Sequence, residues 1–471
     1  MARARVRAFG VLPAGFRRGD SPCAFFLPGV CVPMPACAAL PLAGLRILDL
    51  SRVLAGPWAT QALADLGAEV IKIERPGRGD DTRSWGPPFL KDAQGRDTTE
   101  AAYYLSANRG KHSVAIDLAH PEGQALVRAL VPHCHAMIEN FKVGGLARYG
   151  LDGASLQALH PPLVTCSITG FGQDGPAAGR AGYDAMIQAM SGLMSLTGEP
   201  DAQPGGGPMK IGVALIDVLT GLYAALGLVA AVREAERTGV GRRIDLALMD
   251  TAVACLANQA SNYLVGGVVP ERLGTAHPNI VPYQAFPTLD GHLMLAVGND
   301  GQFQRFCAVA GCPELAIDPR FAANRDRVLH REALLTLLRP RLAARPTGWW
   351  LTHLEAVGVP CGPINTLDQV FADPQVIARG LRMEVDHPLA GTVPLVRSPL
   401  RLSGNGDQAA PGAPPSPGVP PSPGAPPLLG QHTGAVLGGL LGLDEARLAT
   451  LAAEGVIGLA PESLSSAAEV V

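Results

Sequence analysis

The chain has 471 residues, 47% of them hydrophobic and 17% charged, with a formal net charge of -3. That length accommodates two cores, and the near-balanced charge supplies neither a basic field for nucleic acid nor an acidic tail. The nine cysteines form no CxxC pair and no Cys/His set with metal spacing. No metal site is therefore expected, and the thiols are expected to be reduced and packed as small apolar groups.

The first 40 residues carry Arg3, Arg5, Arg7, Arg17 and Arg18 and no acid before Asp20. This pattern predicts a mitochondrial presequence over 1–40, although serine is scarce and several prolines interrupt it. A secretory signal is the alternative, because 23–32 is apolar. Folding is expected to begin near residue 41. Strands at 45–50 and 68–74 flank a helix at 55–66, a βαβ unit that implies a parallel sheet. A nucleotide-sized ligand at its strand ends is the natural occupant. The connecting loop, SRVLAGP, lacks the GxGxxG fingerprint, which argues against ordinary NAD binding.

Strand-like segments follow at 113–117, 136–140 and 163–168, with a helix at 121–131 opened by proline. A helical region is expected over 184–263. The alternation predicts an α/β domain over 41–269. Strands at 282–286 and 292–297 with helices at 300–310 and 331–342 predict a smaller domain over 270–345. Residues 346–456 then return to the large domain, interrupted by a Pro-rich insert at 405–427 that cannot bury a core. Residues 457–471 read as a tail.

Residues 211–232 (IGVALIDVLTGLYAALGLVAAV) contain no ionisable group except Asp217 and Tyr223. A carboxylate there loses hydration and is costly unless hydrogen-bonded or needed. It either caps a backbone turn or serves as a nucleophile or base whose pKa burial has raised. The run is long enough to span a bilayer. Asp217, Thr220 and three glycines interrupt it, however, and no Lys/Arg cluster flanks both ends. The expectation is a helix packed in a core, with Asp217 at or near its start.

Several segments occur in an order that resembles one family. They are LAGLRILDLSRVLAGP, LGAEVIKIERPGRGDDTRSWGPPF, NRGKHSVAIDL, ENFKVGGLARYGL, RAGYDAMIQAMSGLM and the Asp217 run. The chain is similar to the family III CoA-transferases, a group that includes α-methylacyl-CoA racemases, from about residue 42 to 404 and again at 427–433. DDTRSWGPPF, VTCSITGFGQDGP and GTAHPNIVPYQAF narrow the likeness to members that use dicarboxylic acids. The resemblance implies a Rossmann-like large domain and a smaller α+β domain in an interlocked, ring-like homodimer. It implies CoA transfer from succinyl-CoA to a dicarboxylate such as glutarate or 3-hydroxy-3-methylglutarate, in the mitochondrial matrix. CoA would enter and leave as part of the substrates, with no tightly bound cofactor, nucleic acid or membrane involved.

By the same resemblance Asp217 is the nucleophile, forming an acyl anhydride and then a CoA thioester. The CoA-binding positions carried over are Val53, Leu54, Arg75, Ile116, Asn140, Phe141, Arg148, Tyr183 and Asp184. Racemase relatives place a histidine base where Tyr183 stands. A phenol with a pKa near 10 is a poor base, so transfer is favoured over epimerisation. Formyl-CoA transferases carry glutamine at the Leu54 position and lysine at Ala119, so part of the pocket differs. Arg109 and His277 are the candidate cations for the distal carboxylate, and Trp85 is a candidate pocket wall. A racemase and a catalytically silent CoA-binding protein are the alternatives.

Overall fold

The computed structural model describes residues 40–402 and 424–460. The expected leader, most of the Pro-rich insert and residues 461–471 lie outside the described residues. The first βαβ unit forms as the apolar periodicity requires, with β1 (Arg46–Asp49), α1 (Ala55–Ala64) and β2 (Glu69–Glu74). A short hairpin, β3 (Phe89–Lys91) and β4 (Asp97–Ala101), leads into α2 (Ala102–Ala107). Then come β5 (Lys111–Ile116), α3 (Pro121–Leu130), β6 (Ala136–Glu139), α4 (Gly153–Leu159) and β7 (Val164–Thr169). Pro121 occupies the first turn of α3, where its missing N–H costs nothing.

The region expected to be wholly helical is not. Helices α5 (Asp184–Met190), α6 (Leu193–Leu196) and α7 (Leu215–Thr238) are followed by a strand, β8 (Arg243–Ala247). The strand is five residues long and begins on a charge, so its pattern was too short to separate from the helices α8 (Leu248–Ala254) and α9 (Ala257–Gly266) beyond it. Tertiary pairing with β7, from Thr165↔Arg243 to Thr169↔Ala247, decides it.

The resulting mixed α/β fold is centred on a seven-stranded sheet that starts at β14 (Ile457–Gly458) and runs in the order β14-β5-β2-β1-β6-β7-β8. The six strands from β5 to β8 are parallel. Taken in chain order they read 3-2-1-4-5-6, so the strand order reverses between β1 and β6, where a doubly wound sheet opens a crevice. The last strand, β14 (Ile457–Gly458), joins antiparallel to β5. Residues 457 and 458, expected to start a tail, are thus part of the sheet. Apolar side chains build a core on each face. Leu48, Ile71, Ile73 and Val114 serve one face, and Ile47, Val70, Ile138 and Val164 the other.

The smaller unit forms around β9 (Tyr283–Pro287), β10 (His292–Ala296) and β11 (Cys361–Pro363), an antiparallel sheet. Its core includes Phe286, Phe303 and Leu338, and continues through Trp350, Leu354 and Val359. The packed unit therefore runs past residue 345, where the sequence suggested it would end. A hairpin, β12 (Arg382–His387) and β13 (Gly391–Val396), packs on Tyr104 and Leu105.

A buried charge lattice ties β2, β4 and α2 to the returning segment at Pro427. The Arg83 guanidinium binds Glu74 and Glu100 at 2.9 Å each, Tyr104 Oη at 2.6 Å and the Pro427 carbonyl at 3.0 Å. Replacing Arg83 with methionine strands two buried carboxylates. Arg83→Met is expected to lower stability by about 3–5 kcal/mol in chemical denaturation. A loss below about 1 kcal/mol would mean that the lattice is not a structural tie.

Candidate active site

The α7 run is long and apolar enough to cross a membrane. In this structure one face of it, including Ile216, Gly221, Ala224 and Leu228, is buried in the molecule. Asp217 lies in its first turn, as expected. It is not a cap: among the described residues none donates a hydrogen bond to its carboxylate. The capping role belongs to Asp184, whose Oδ1 accepts from the amides of Ile216 at 2.7 Å and Asp217 at 3.1 Å. Its Oδ2 accepts from Gln188 Nε2 at 2.5 Å. These bonds satisfy amides that a helix start otherwise leaves open.

Burial, followed by the Asp184 charge, pushes the Asp217 carboxyl up to about 7. A carboxylate in the first turn is favoured by the helix dipole, but lost hydration and a like charge outweigh that here. Tyr103, on α2, senses the same field. Its phenol is raised by burial first and then by Asp217 and Asp184. Trp85 stands edge-on to the Tyr103 ring, with centroids 5.2 Å apart. Tyr103 was missed in the sequence; only the paired tyrosines of AAYYL ahead of NRGK mark it.

Gly221, one turn beyond Asp217, brings α7 against the start of α1. A Cβ at Gly221 would stand 2.6 Å from the Ala55 carbonyl and 3.1 Å from Trp58 Cβ. The first βα loop, residues 51–54, therefore ends beside the Asp217 turn. Its other side faces a cavity of about 350 Å³ at the strand ends of β1, β2, β5 and β6, the size of a small cofactor pocket. Of the predicted CoA residues, Arg75, Ile116, Phe141 and Arg148 line it, and so does Ala119. Arg52 and Arg78 line it too and were not anticipated. Asp81 holds Arg52 at 3.0 Å. Arg75, Arg78 and Arg148 have no ion-pair partner among the described residues, and guanidinium groups of that kind suit phosphate oxygens.

Three predicted positions support the cavity from behind its wall. Asn140 clasps the Arg52 backbone, accepting from its N–H at 2.9 Å and donating to its carbonyl at 2.7 Å. Val53 gives its N–H to Asp80, and Leu54 is buried at the start of α1. Tyr183 precedes α5 and is 68% exposed. Its neighbour Gly182 touches Gly170, where a Cβ would come within 2.6 Å of the Gly182 Cα.

The two candidate cations fare differently from the expectation. The Arg109 side chain is buried and its guanidinium is engaged by Asp65 through Nε, at 2.8 Å, and Nη2. This enclosed ion pair gives Arg109 a structural partner. His277 stands against Tyr283 in the smaller unit, ring centroids 5.2 Å apart. Burial and then Arg331 lower its pKa, which disfavours the charged imidazolium.

The Asp217 shift has a stability consequence. Unfolded, the carboxyl ionises near 4; folded, it keeps its proton to about 7. The folded chain therefore binds more protons between these values, and stability falls as pH rises across that window. Asp217→Asn is expected to raise Tm at pH 8, and the gain should vanish toward pH 4. A pH-independent difference would show that Asp217 ionises normally.

The model of CoA-transferase family III matches residues 42–419. The chain is 53% identical over 363 residues to a succinate–glutarate CoA-transferase of Agrobacterium fabrum, covering 77% of this chain and 90% of that one. It is 44% identical over 426 residues to the succinyl-CoA:glutarate CoA-transferase of Mus musculus, covering 90% and 92%. The crystal structure of a CAIB/BAIF family protein from Brucella suis superposes with a TM-score of 0.72 at 47% identity, covering 85% of this chain and all of that one. With that sheet, that cavity and a half-buried carboxylate that accepts no hydrogen bond among the described residues, the chain belongs to CoA-transferase family III.

Proposed function

We propose that this enzyme moves CoA from succinyl-CoA to a dicarboxylic acid, glutarate or 3-hydroxy-3-methylglutarate or a close analogue, through covalent intermediates on Asp217. The Asp217 carboxylate attacks the thioester carbonyl, giving a succinyl-aspartyl anhydride and releasing CoA thiolate. The thiolate attacks the aspartyl carbonyl, giving an aspartyl-CoA thioester and succinate. The acceptor carboxylate then attacks that thioester to form a new anhydride, and the returning thiolate takes its acyl group and frees Asp217. Each covalent species is about as activated as the thioester it replaces, so no step discards the bond energy.

The observation that carries this reading is a half-buried carboxylate without a hydrogen-bond donor among the described residues, beside a loop that borders an arginine-lined cavity. An anhydride must be kept from water, and the apolar turn around Asp217 serves that end. The 43–53% identity to succinate/succinyl-CoA:glutarate CoA-transferases supports the substrate pair. Val53, Leu54, Asn140 and the cavity residues hold CoA in this reading. Asp184 fixes the nucleophile's turn, while Tyr183 and Trp85 flank it.

An interlocked homodimer of large and small domains completes the proposal. The outer face of α7 leaves Leu222, Tyr223 and Leu226 exposed, and the segment ending α9 exposes Leu264, Val265 and Val268. Apolar patches of this kind mark association surfaces. In such a dimer His277 is a candidate to meet the distal carboxylate as a hydrogen-bond donor rather than as a cation. The Arg-rich leader supports a location in the mitochondrial matrix.

Epimerisation is disfavoured because Tyr183 stands where racemases hold histidine. Asp217→Ala is expected to lower kcat for succinyl-CoA and glutarate by about a thousandfold or more, with CoA binding retained. In the wild type, kcat/KM should rise with pH through about 7 as Asp217 ionises. A variant retaining most of its activity, or a wild type that binds CoA without exchange, would overturn the reading.

A further inference from the structure

Every backbone polar group from Ser51 N to Val53 N is held by a side chain. Asp49 Oδ1 accepts from Ser51 N at 2.9 Å, and Lys72 Nζ donates to the Ser51 carbonyl at 2.9 Å. Asn140 holds both polar atoms of Arg52. Both Asp80 oxygens lie 3.2 Å from Val53 N. Asp80 and Lys72 also bind one another at 2.9 Å, with both side chains fully buried. Thr82 adds its amide at 3.0 Å and hydroxyl at 2.8 Å to Asp80.

Val53 has φ = 70°. Only Val53 and Ala257, among the described non-glycine residues, have a positive φ. A β-branched residue enters this region only under constraint, because Cβ crowds the following carbonyl. Strain of this kind persists where its surroundings over-determine it, and it clusters at functional sites. The strained residue sits between Arg52 on the cavity wall and the α1 start that touches the Asp217 helix.

We propose that Asp80, held by Lys72, is a positioning residue that locks Val53 in its left-handed conformation and so sets the loop against which CoA binds. The proposal rests on assigning the arginine-lined cavity to CoA. Asp80 touches no substrate: it acts through the Val53 amide. With asparagine at this position one of the two oxygens facing the Val53 amide becomes an NH2 donor, and Lys72 loses its counter-charge. The valine then relaxes to negative φ, turning the Arg52 side chain and the Leu54 backbone away from their bound positions.

Rescue by glycine separates this role from a merely structural one, since glycine takes positive φ without a Cβ penalty. CoA affinity is measured by calorimetry on the full-length protein. Asp80→Asn is expected to weaken it about tenfold, raising KM for succinyl-CoA but not for glutarate. Adding Val53→Gly to Asp80→Asn is expected to restore the affinity to within about threefold of wild type. An unaffected Kd in Asp80→Asn, or a loss that Val53→Gly does not repair, overturns the proposal. If Asp80→Asn does not fold, a folded, CoA-binding double variant supports it, and a double variant that also fails to fold overturns it. Arg75→Ala and Arg148→Ala test the underlying reading separately. If they leave CoA affinity unchanged, the cavity is not the CoA site and both assignments fall.

Discussion

The Asp184 carboxylate accepts the two amides that open α7 and fixes the turn on which Asp217 stands. That arrangement frees Asp217 from the structural task its position would otherwise impose. It also sets a second negative charge nearby, which together with burial keeps the Asp217 carboxyl near neutrality. A nucleophile needs its lone pair uncommitted and its solvent shell thin, and both follow from giving the cap to a different residue. The same burial makes the ionised form expensive, so activity and stability respond to pH in opposite directions.

Behind the strand ends a network of buried charges carries out the corresponding task for the CoA loop. Lys111 lies between Asp49 Oδ2 at 3.3 Å, the Pro57 carbonyl at 2.9 Å and Asn108 Oδ1 at 3.0 Å. Burial first, opposed by Asp49, lowers its pKa to about 7. Lys72 is the opposite case: Asp80 and Asp49 overcome burial and hold it above the usual lysine range. Such groups are poor sources of net stability, because desolvation offsets much of their attraction. Their value here is geometric, since each fixes a backbone atom of the loop or of α1.

The βαβ start, the parallel strands and the position of Asp217 were legible because they rest on local periodicity and on one charge in an apolar run. Residues whose roles depend on distant partners were not. The pairing of Arg109 was not legible because Asp65, 44 positions earlier, gives no local sign of it. Lys72 and Glu74 in VIKIE carry no local sign of their partners, yet both are buried, one against Asp80 and the other against Arg83. Strand β8 was hidden in a helical region, and β14 is two residues long, so only pairing reveals them. Leu54 and Ala119, where the chain departs from the formyl-CoA transferase pattern, fall at the loop and at the cavity wall.

The central claim, that Asp217 carries the acyl group and then CoA, is tested most directly by intact-mass and peptide mass spectrometry. The protein would be quenched seconds after mixing with succinyl-CoA, with glutarate added to a second sample. The account predicts a succinyl or CoA adduct on the peptide containing Asp217, discharged by glutarate with formation of glutaryl-CoA. Turnover at full rate with the adduct on another residue, or with none formed, would contradict it.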